Sequence, residues 1–287
     1  MLVAIGASVA IRAARETQAA ATATAQTTLP ARLSDADFWA LVSDISEPGA
    51  YFRITDNYTS NEREVGQLFT MLRTNGVRGG VYMGVGPEQN FSYIAAIKPV
   101  MAFICDIRRQ AVMQHLMFKA MFELSKDRAD FISILFSRPR PAGLDAATPI
   151  QKMWDAYINL PSSPALVSKN YIDVVERLTK THKFVFTAEE SGQLETVFQA
   201  FVGFGPGIST RGSGGGGGGN SGGTFADLTG WSFDASGQPQ SFLSTEENFQ
   251  TVKALHDKNL IVPVSGDFGG HTGFENVDAP WRVSCVA

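Results

Sequence analysis

The chain has 287 residues, 44% of them hydrophobic, and a formal net charge of −4. It is long enough to bury a sizeable core as one α/β domain or two small ones. It has no basic surplus to neutralise a phosphate backbone, which argues against nucleic-acid binding, and no run of about 20 apolar residues to cross a bilayer.

The first 32 residues read as a tail. Met1 to Ile11 is apolar, but Arg12 and Arg15 follow that run instead of preceding it, the reverse of an export signal. Two readings stand: a degraded signal segment, or an Ala/Thr-rich disordered tail. The chain is therefore cytoplasmic or exported according to which holds, with the cytoplasm favoured. From residue 33 to 287 the pattern predicts a single α/β domain.

Ser34 is placed to cap a helix carrying Phe38, Trp39, Leu41 and Val42, which Pro48-Gly49 ends. Thr59 and Glu62 have capping-box spacing and predict a helix from Ser60 to about Arg73, closed by Asn75-Gly76. Next comes a strand–turn–helix–strand signal. Val81, Tyr82 and Met83 are a short apolar run, and Gly84-Val85-Gly86 bends the chain. Phe91 to Ile97 suits a short helix. Met101 to Cys105 is a second apolar run ending at Asp106. This is the order of a nucleotide-binding βαβ unit, and Asp106 follows Gly84 at about the 20-residue spacing such units show.

Gln110 to Leu124 has one apolar helical face, on which Met113, Met117 and Met121 read as core filling. Ala129 to Phe136 is a further helix, stopped before Pro139. Short helices are predicted around Trp154 and Tyr157, and over Asn170 to Thr179. Thr187 and Glu190 form a second capping box opening a helix through Phe201. Six glycines at 214–219 lie in a flexible loop, 211–223, since no Gly-Lys-Ser/Thr follows to cradle phosphate. Ser244 and Glu247 predict a third box, with Phe249, Val252 and Leu255 on one face. Leu260 to Val264 reads as a strand entering a loop at Asp267. The alternation predicts a doubly wound, mostly parallel sheet covered on both faces, with a helical insertion at 137–223 suited to substrate selection. Little regular structure is predicted after Asp267, so a C-terminal end truncated for such a sheet is expected.

Gly84-x-Gly86 followed by Asp106 resembles the cofactor half of class I S-adenosylmethionine-dependent methyltransferases. The strings EPGAYFRITDNYTSNE, GGVYMGVGPEQNFSYIAAIKP, FICDIRR, RLTKTH, STEENF and LIVPVSGDF resemble an uncharacterised bacterial family with a methyltransferase-like fold, over roughly Ser34 to Gly269. The resemblance implies S-adenosylmethionine as cofactor. Gly84 and Gly86 would pass close to it, and Asp106 would bind ribose hydroxyls. The pattern departs at Tyr82, where methyltransferases carry an acid, and at Gln89, where they carry a third small residue. Glu88 and Asn90 are polar and could supply replacement contacts.

Each candidate has a plainer role beside the functional one. Asp106 binds ribose or caps the next helix. Arg108 and Arg109 pair with an anionic ligand or form a solvated pair. Asn57, Ser60, Asn61 and Glu62 fold over a cofactor or cap a helix. Lys180, Thr181 and His182 reach the cleft or are solvated. Asp267 is a general base or a loop residue. No two of the four histidines have metal-ligand spacing, and Cys105 reads as an inert core thiol. Three functions follow: a methyltransferase-like enzyme acting on a small molecule, a non-catalytic ligand-binding protein of the same fold, or an NAD-dependent oxidoreductase.

Overall fold

The structure is a computed structural model and describes residues 29–49, 57–62, 65–210, 212–213 and 223–266. The chain divides into two compact units, Met1–Ala31 and Arg32–Ala287. Of the first unit only residues 29–31 are described, and they form no helix or strand. All that follows concerns the second.

The fold is mixed α/β. Among the described residues, ten α-helices surround a small sheet of three parallel strands, β1 (Val81–Val85), β2 (Met101–Asp106) and β5 (Ile261–Ser265), in the order β1-β2-β5. Gly84 pairs with Ile104, and Asp106 with Ser265, so all three carboxyl ends lie together. Pro263 is tolerated because β5 is an edge strand among the described residues: Leu260 and Gly266 at its two ends bond to β2, which leaves the Pro263 nitrogen facing away from β2. A two-residue hairpin, β3 (Ile208–Ser209) with β4 (Gly212–Ser213), stands apart.

The helices are α1 (Asp35–Asp44), α2 (Val65–Thr74), α3 (Gln89–Ile97), α4 (Arg109–Leu124), α5 (Arg128–Phe136), α6 (Ile150–Tyr157), α7 (Pro164–Glu176), α8 (Ala188–Phe204), α9 (Phe225–Gly230) and α10 (Glu246–His256). Most match the predicted segments, and their caps explain why. Ser34 accepts from the Asp37 amide at the start of α1. Thr187 and Glu190 close both halves of a capping box on α8. Helix α7 runs on through a π-helical turn, Arg177–Thr181.

Three expectations need correcting. Helix α2 begins at Val65 instead of Ser60, because the Ser60 amide donates to Glu88 and the Ser60 hydroxyl accepts from the Glu62 amide. No Thr59–Glu62 capping box forms: Glu62 accepts from the Tyr93 hydroxyl. Helix α10 is capped by Thr245, one residue after the predicted Ser244, whose hydroxyl donates to the Ser241 carbonyl. Cys105 is buried on β2 but is not a free thiol. It is disulfide-bonded, and its partner lies outside the described residues. Helix α9 is an addition to the predicted elements, although Thr224 and Asp227 form a complete capping box for it.

The core is built around α4, which is buried from Ala111 to Phe122 on every face. A helix buried all round is a central one. Phe91, Phe118, Phe122, Phe131, Phe242 and Phe249 pack edge-to-face, tilted or stacked against one another beside it. His256 stacks on Phe122 with ring centroids 4.7 Å apart. Burial pushes its pKa well down, so the ring sits there as a neutral aromatic. The 267–287 segment, the glycine run 214–219 and the first 28 residues lie outside the described residues.

Candidate ligand-binding site

The bend after β1 is shaped by its own neighbours. Strand β1 runs through Gly84 to Val85, and the turn falls at Gly86, whose φ of 81° favours glycine. A Cβ on Gly84 would collide with Asn90 Oδ1 and lie 2.5 Å from the Tyr82 hydroxyl oxygen. Asn90, in the first turn of α3, closes over the bend. Its Nδ2 donates to the carbonyls of Val85 (3.0 Å), Gly86 (3.0 Å) and Pro87 (2.8 Å), and its Oδ1 accepts from Tyr82 Oη at 2.8 Å. From below, His115 Nε2 donates to the Gly86 carbonyl at 2.9 Å. Burial pushes the His115 pKa down to about 4, so the ring is neutral, with the proton on Nε2.

At the end of β2, Asp106 is held by Arg108. Its Oδ1 accepts from the Arg108 backbone amide (2.9 Å) and Nε (3.1 Å), and its Oδ2 from Nη2 (3.1 Å). Both side chains are buried. Arg108 is also the N-cap residue of α4 and makes no side-chain cap bond.

Residues 57–60 lie across both strand ends as a strap. Asn57 accepts from Arg108 Nη2 (3.4 Å), and Tyr58 accepts from Gln114 (2.7 Å). Glu88 is fully buried, and both its oxygens accept from the Ser60 amide at 3.1 Å. Burial, reinforced by the nearby charge of Glu62, pushes the Glu88 pKa up to about 7. From the far side, the Thr210 hydroxyl reaches the carbonyls of Thr59 (3.1 Å) and Ser60 (3.2 Å).

Gly84, Gly86, Glu88, Asn90, Asp106 and Arg108 thus belong to one connected polar cluster, with Asn57 and Ser60 joined to it. Other candidates fall elsewhere. Arg109 pairs with Glu190 at 2.8 Å and reaches Ser46 Oγ at 3.3 Å. His182 lies between Asp35 (2.8 Å) and Glu123 (2.7 Å), away from the bend. Asp267 and His271 lie outside the described residues. His115 and Gln114 are members of the cluster that the sequence does not single out. Their only signal is a polar pair set between the apolar pairs Val112-Met113 and Leu116-Met117.

A cavity of about 920 Å³ opens beside this cluster, lined by Trp39, Ser46, Glu47, Arg108, Gln110 and Gln193 among others. The Glu47 amide donates to the Ser265 carbonyl, so the cavity sits at the carboxyl ends of β2 and β5. A second cavity, about 750 Å³, shares Trp39 and Ser43 with it and reaches His182. Between Glu88, Gln89 and Ser232 there is a gap of only about 10 Å³. Among the described residues, no group of three or more His, Cys, Asp and Glu side chains is arranged to hold a metal.

Residues 57–190 match a domain of unknown function, DUF7790. The DUF7790 match covers just under half of the chain and includes the strap, the bend, Asp106, Arg108 and Glu190. No curated protein matches the chain. No helix among the described residues is long and apolar enough to cross a membrane.

The cluster does not fit S-adenosylmethionine as it stands. The cradle at Gly84 is filled by Asn90 and Tyr82, the Gly86 carbonyl by Asn90 and His115, and both oxygens of Asp106 by Arg108. The chain's own groups occupy the positions where a cofactor's methionine and ribose parts would bind.

Proposed function

We propose that the chain is a small-molecule-binding protein built on the cofactor half of a doubly wound, methyltransferase-like sheet, and that it holds a nucleoside-sized ligand without turnover. The observation that carries this reading is the cavity of about 920 Å³ at the carboxyl ends of β2 and β5. Open α/β sheets present ligands at that edge, and ligand pockets span roughly 300–1,000 Å³. Trp39 supplies an aromatic surface. Gln110 and Gln193 supply amides that both donate and accept, the pattern a heterocyclic base requires.

Methyl transfer needs a donor aligned to its acceptor, and the filled bend favours binding without catalysis. A thermal-shift panel of S-adenosylmethionine, its demethylated product, adenosine and NAD tests the reading, because a ligand that prefers the native state raises stability. Stabilisation by the adenosine-bearing compounds, diminished in Gln193→Ala and unaccompanied by loss of the methyl group, supports it. Stabilisation by NAD alone moves the reading to a nicotinamide site. No shift with any of the four overturns it.

A further inference from the structure

Strand β1 is the feature that the ligand site does not use. In the sheet order β1-β2-β5 it is an edge strand, and its outer side has no partner strand among the described residues. Val81, Met83 and Val85 project from one face and are 46%, 46% and 50% exposed. Neighbouring hydrogen bonds fix the backbone phase. Gly80 accepts from Val100 and Gly86 donates to Cys105, so the even-numbered residues bond to β2. In a strand the odd ones then turn their N–H and C=O groups out of the open edge. This edge carries no lysine, proline or bulge, the usual means of blunting one.

We infer that β1 pairs antiparallel with β1 of a second copy of this chain, about a two-fold axis at Met83. The strand is complementary to its own reverse. In that register Met83 faces Met83, Val81 faces Val85, and Tyr82 faces Gly84. The Met83 pair and both Val81–Val85 pairs fall at positions whose backbone groups point outward, which is the hydrogen-bonded phase of an antiparallel ladder. Tyr82 opposite Gly84 sets no two bulky side chains against each other, since each Tyr82 already lies over the Gly84 of its own strand. A one-residue slip would break all three matches and put outward-pointing groups opposite inward ones. A two-fold interface of this kind uses the same patch on both subunits and closes. It joins two three-stranded sheets into one of six, in the order β5-β2-β1-β1-β2-β5, and sets the two rows of valine and methionine side by side on one face.

Sedimentation of the full chain, combined with cysteine capture, tests this. The wild-type chain should sediment as a dimer. Met83→Lys should sediment as a monomer with an unchanged circular dichroism spectrum. Met83→Cys should cross-link to itself on mild oxidation, since the two Cα atoms would lie about 5.5 Å apart. Val81→Cys should not cross-link to itself but should link to Val85→Cys in a mixture, with the linked peptides identified by mapping. If Met83→Lys fails to fold, the cysteine set decides alone. A monomer at all concentrations overturns the inference, as does a dimer untouched by Met83→Lys, or self-capture by Val81→Cys equal to that of Met83→Cys. Protection of β1 within a monomer would assign the edge to another segment of the same chain, and also overturns it.

Discussion

At the scale of single residues, the cluster is defined by groups whose environment leaves them little choice. Gly84 is needed because Asn90 and Tyr82 occupy the space a side chain would take. Gly84→Ala should cost about 1–3 kcal/mol, the usual penalty of overpacking, and urea denaturation measures it. Adding Asn90→Ala should recover part of that loss, because the two substitutions share one space. Asp106 and Arg108 form a buried pair, so Asp106→Ala strands a cation and should cost about 3–5 kcal/mol, read in the same assay. Glu88 gives a pH signature. Its folded pKa, about 7, lies above the ordinary glutamate value of 4.5, so the native state holds a proton that the unfolded chain releases. Stability is full below pH 4.5 and falls by about 3 kcal/mol as pH rises to 7 and beyond. Denaturation curves between pH 4 and 8 should show this decline in the wild type and lose it in Glu88→Gln.

At the scale of elements, caps and charge relays tie the helices to the sheet. Thr187→Ala removes one half of the box on α8 and should cost about 1 kcal/mol. His182 bridges α1 and α4 through Asp35 and Glu123, and Glu123 also binds Lys119 at 2.6 Å. Burial pulls the His182 pKa down, but the two carboxylates outweigh it, and the net direction is up. The bridge therefore stabilises fully below the ordinary histidine value and is lost as pH climbs through the raised one. His182→Gln should flatten the pH profile in that upper range, and subtracting the two profiles isolates it.

Local signals make the elements legible from sequence. Caps at Ser34 and Thr187, the Asn75-Gly76 stop and the apolar runs of β1, β2 and β5 all act within a few residues of themselves. Legibility fails where a distant group competes. Ser60 belongs to the strap because Glu88 takes its amide across 28 positions. The spacing of Gly84, Gly86 and Asp106 is visible, but not that Asn90, His115 and Arg108 fill the same positions. That depends on rotamers which no spacing encodes.

At the scale of the whole molecule, the main sheet is small for the helices around it. Its three strands support ten helices among the described residues. Among the described residues the strand bearing the glycine bend is an edge strand, whereas in doubly wound sheets ligands bind where the strand order reverses, with strands on both sides. The pattern of runs and turns carries the α/β class, but a sequence does not state which strands are neighbours.

Helix 109–124 has one more consequence. Its middle has no face on water, so it cannot tilt or slide without breaking the core around it. Its first residues nonetheless form a wall of the cavity. Any opening of that cavity must then be carried by its other walls, the 46–49 and 185–187 segments, while the helix stays still as an anvil. Amide exchange should follow the same division, with those two segments exchanging early and residues 111–122 only on global unfolding.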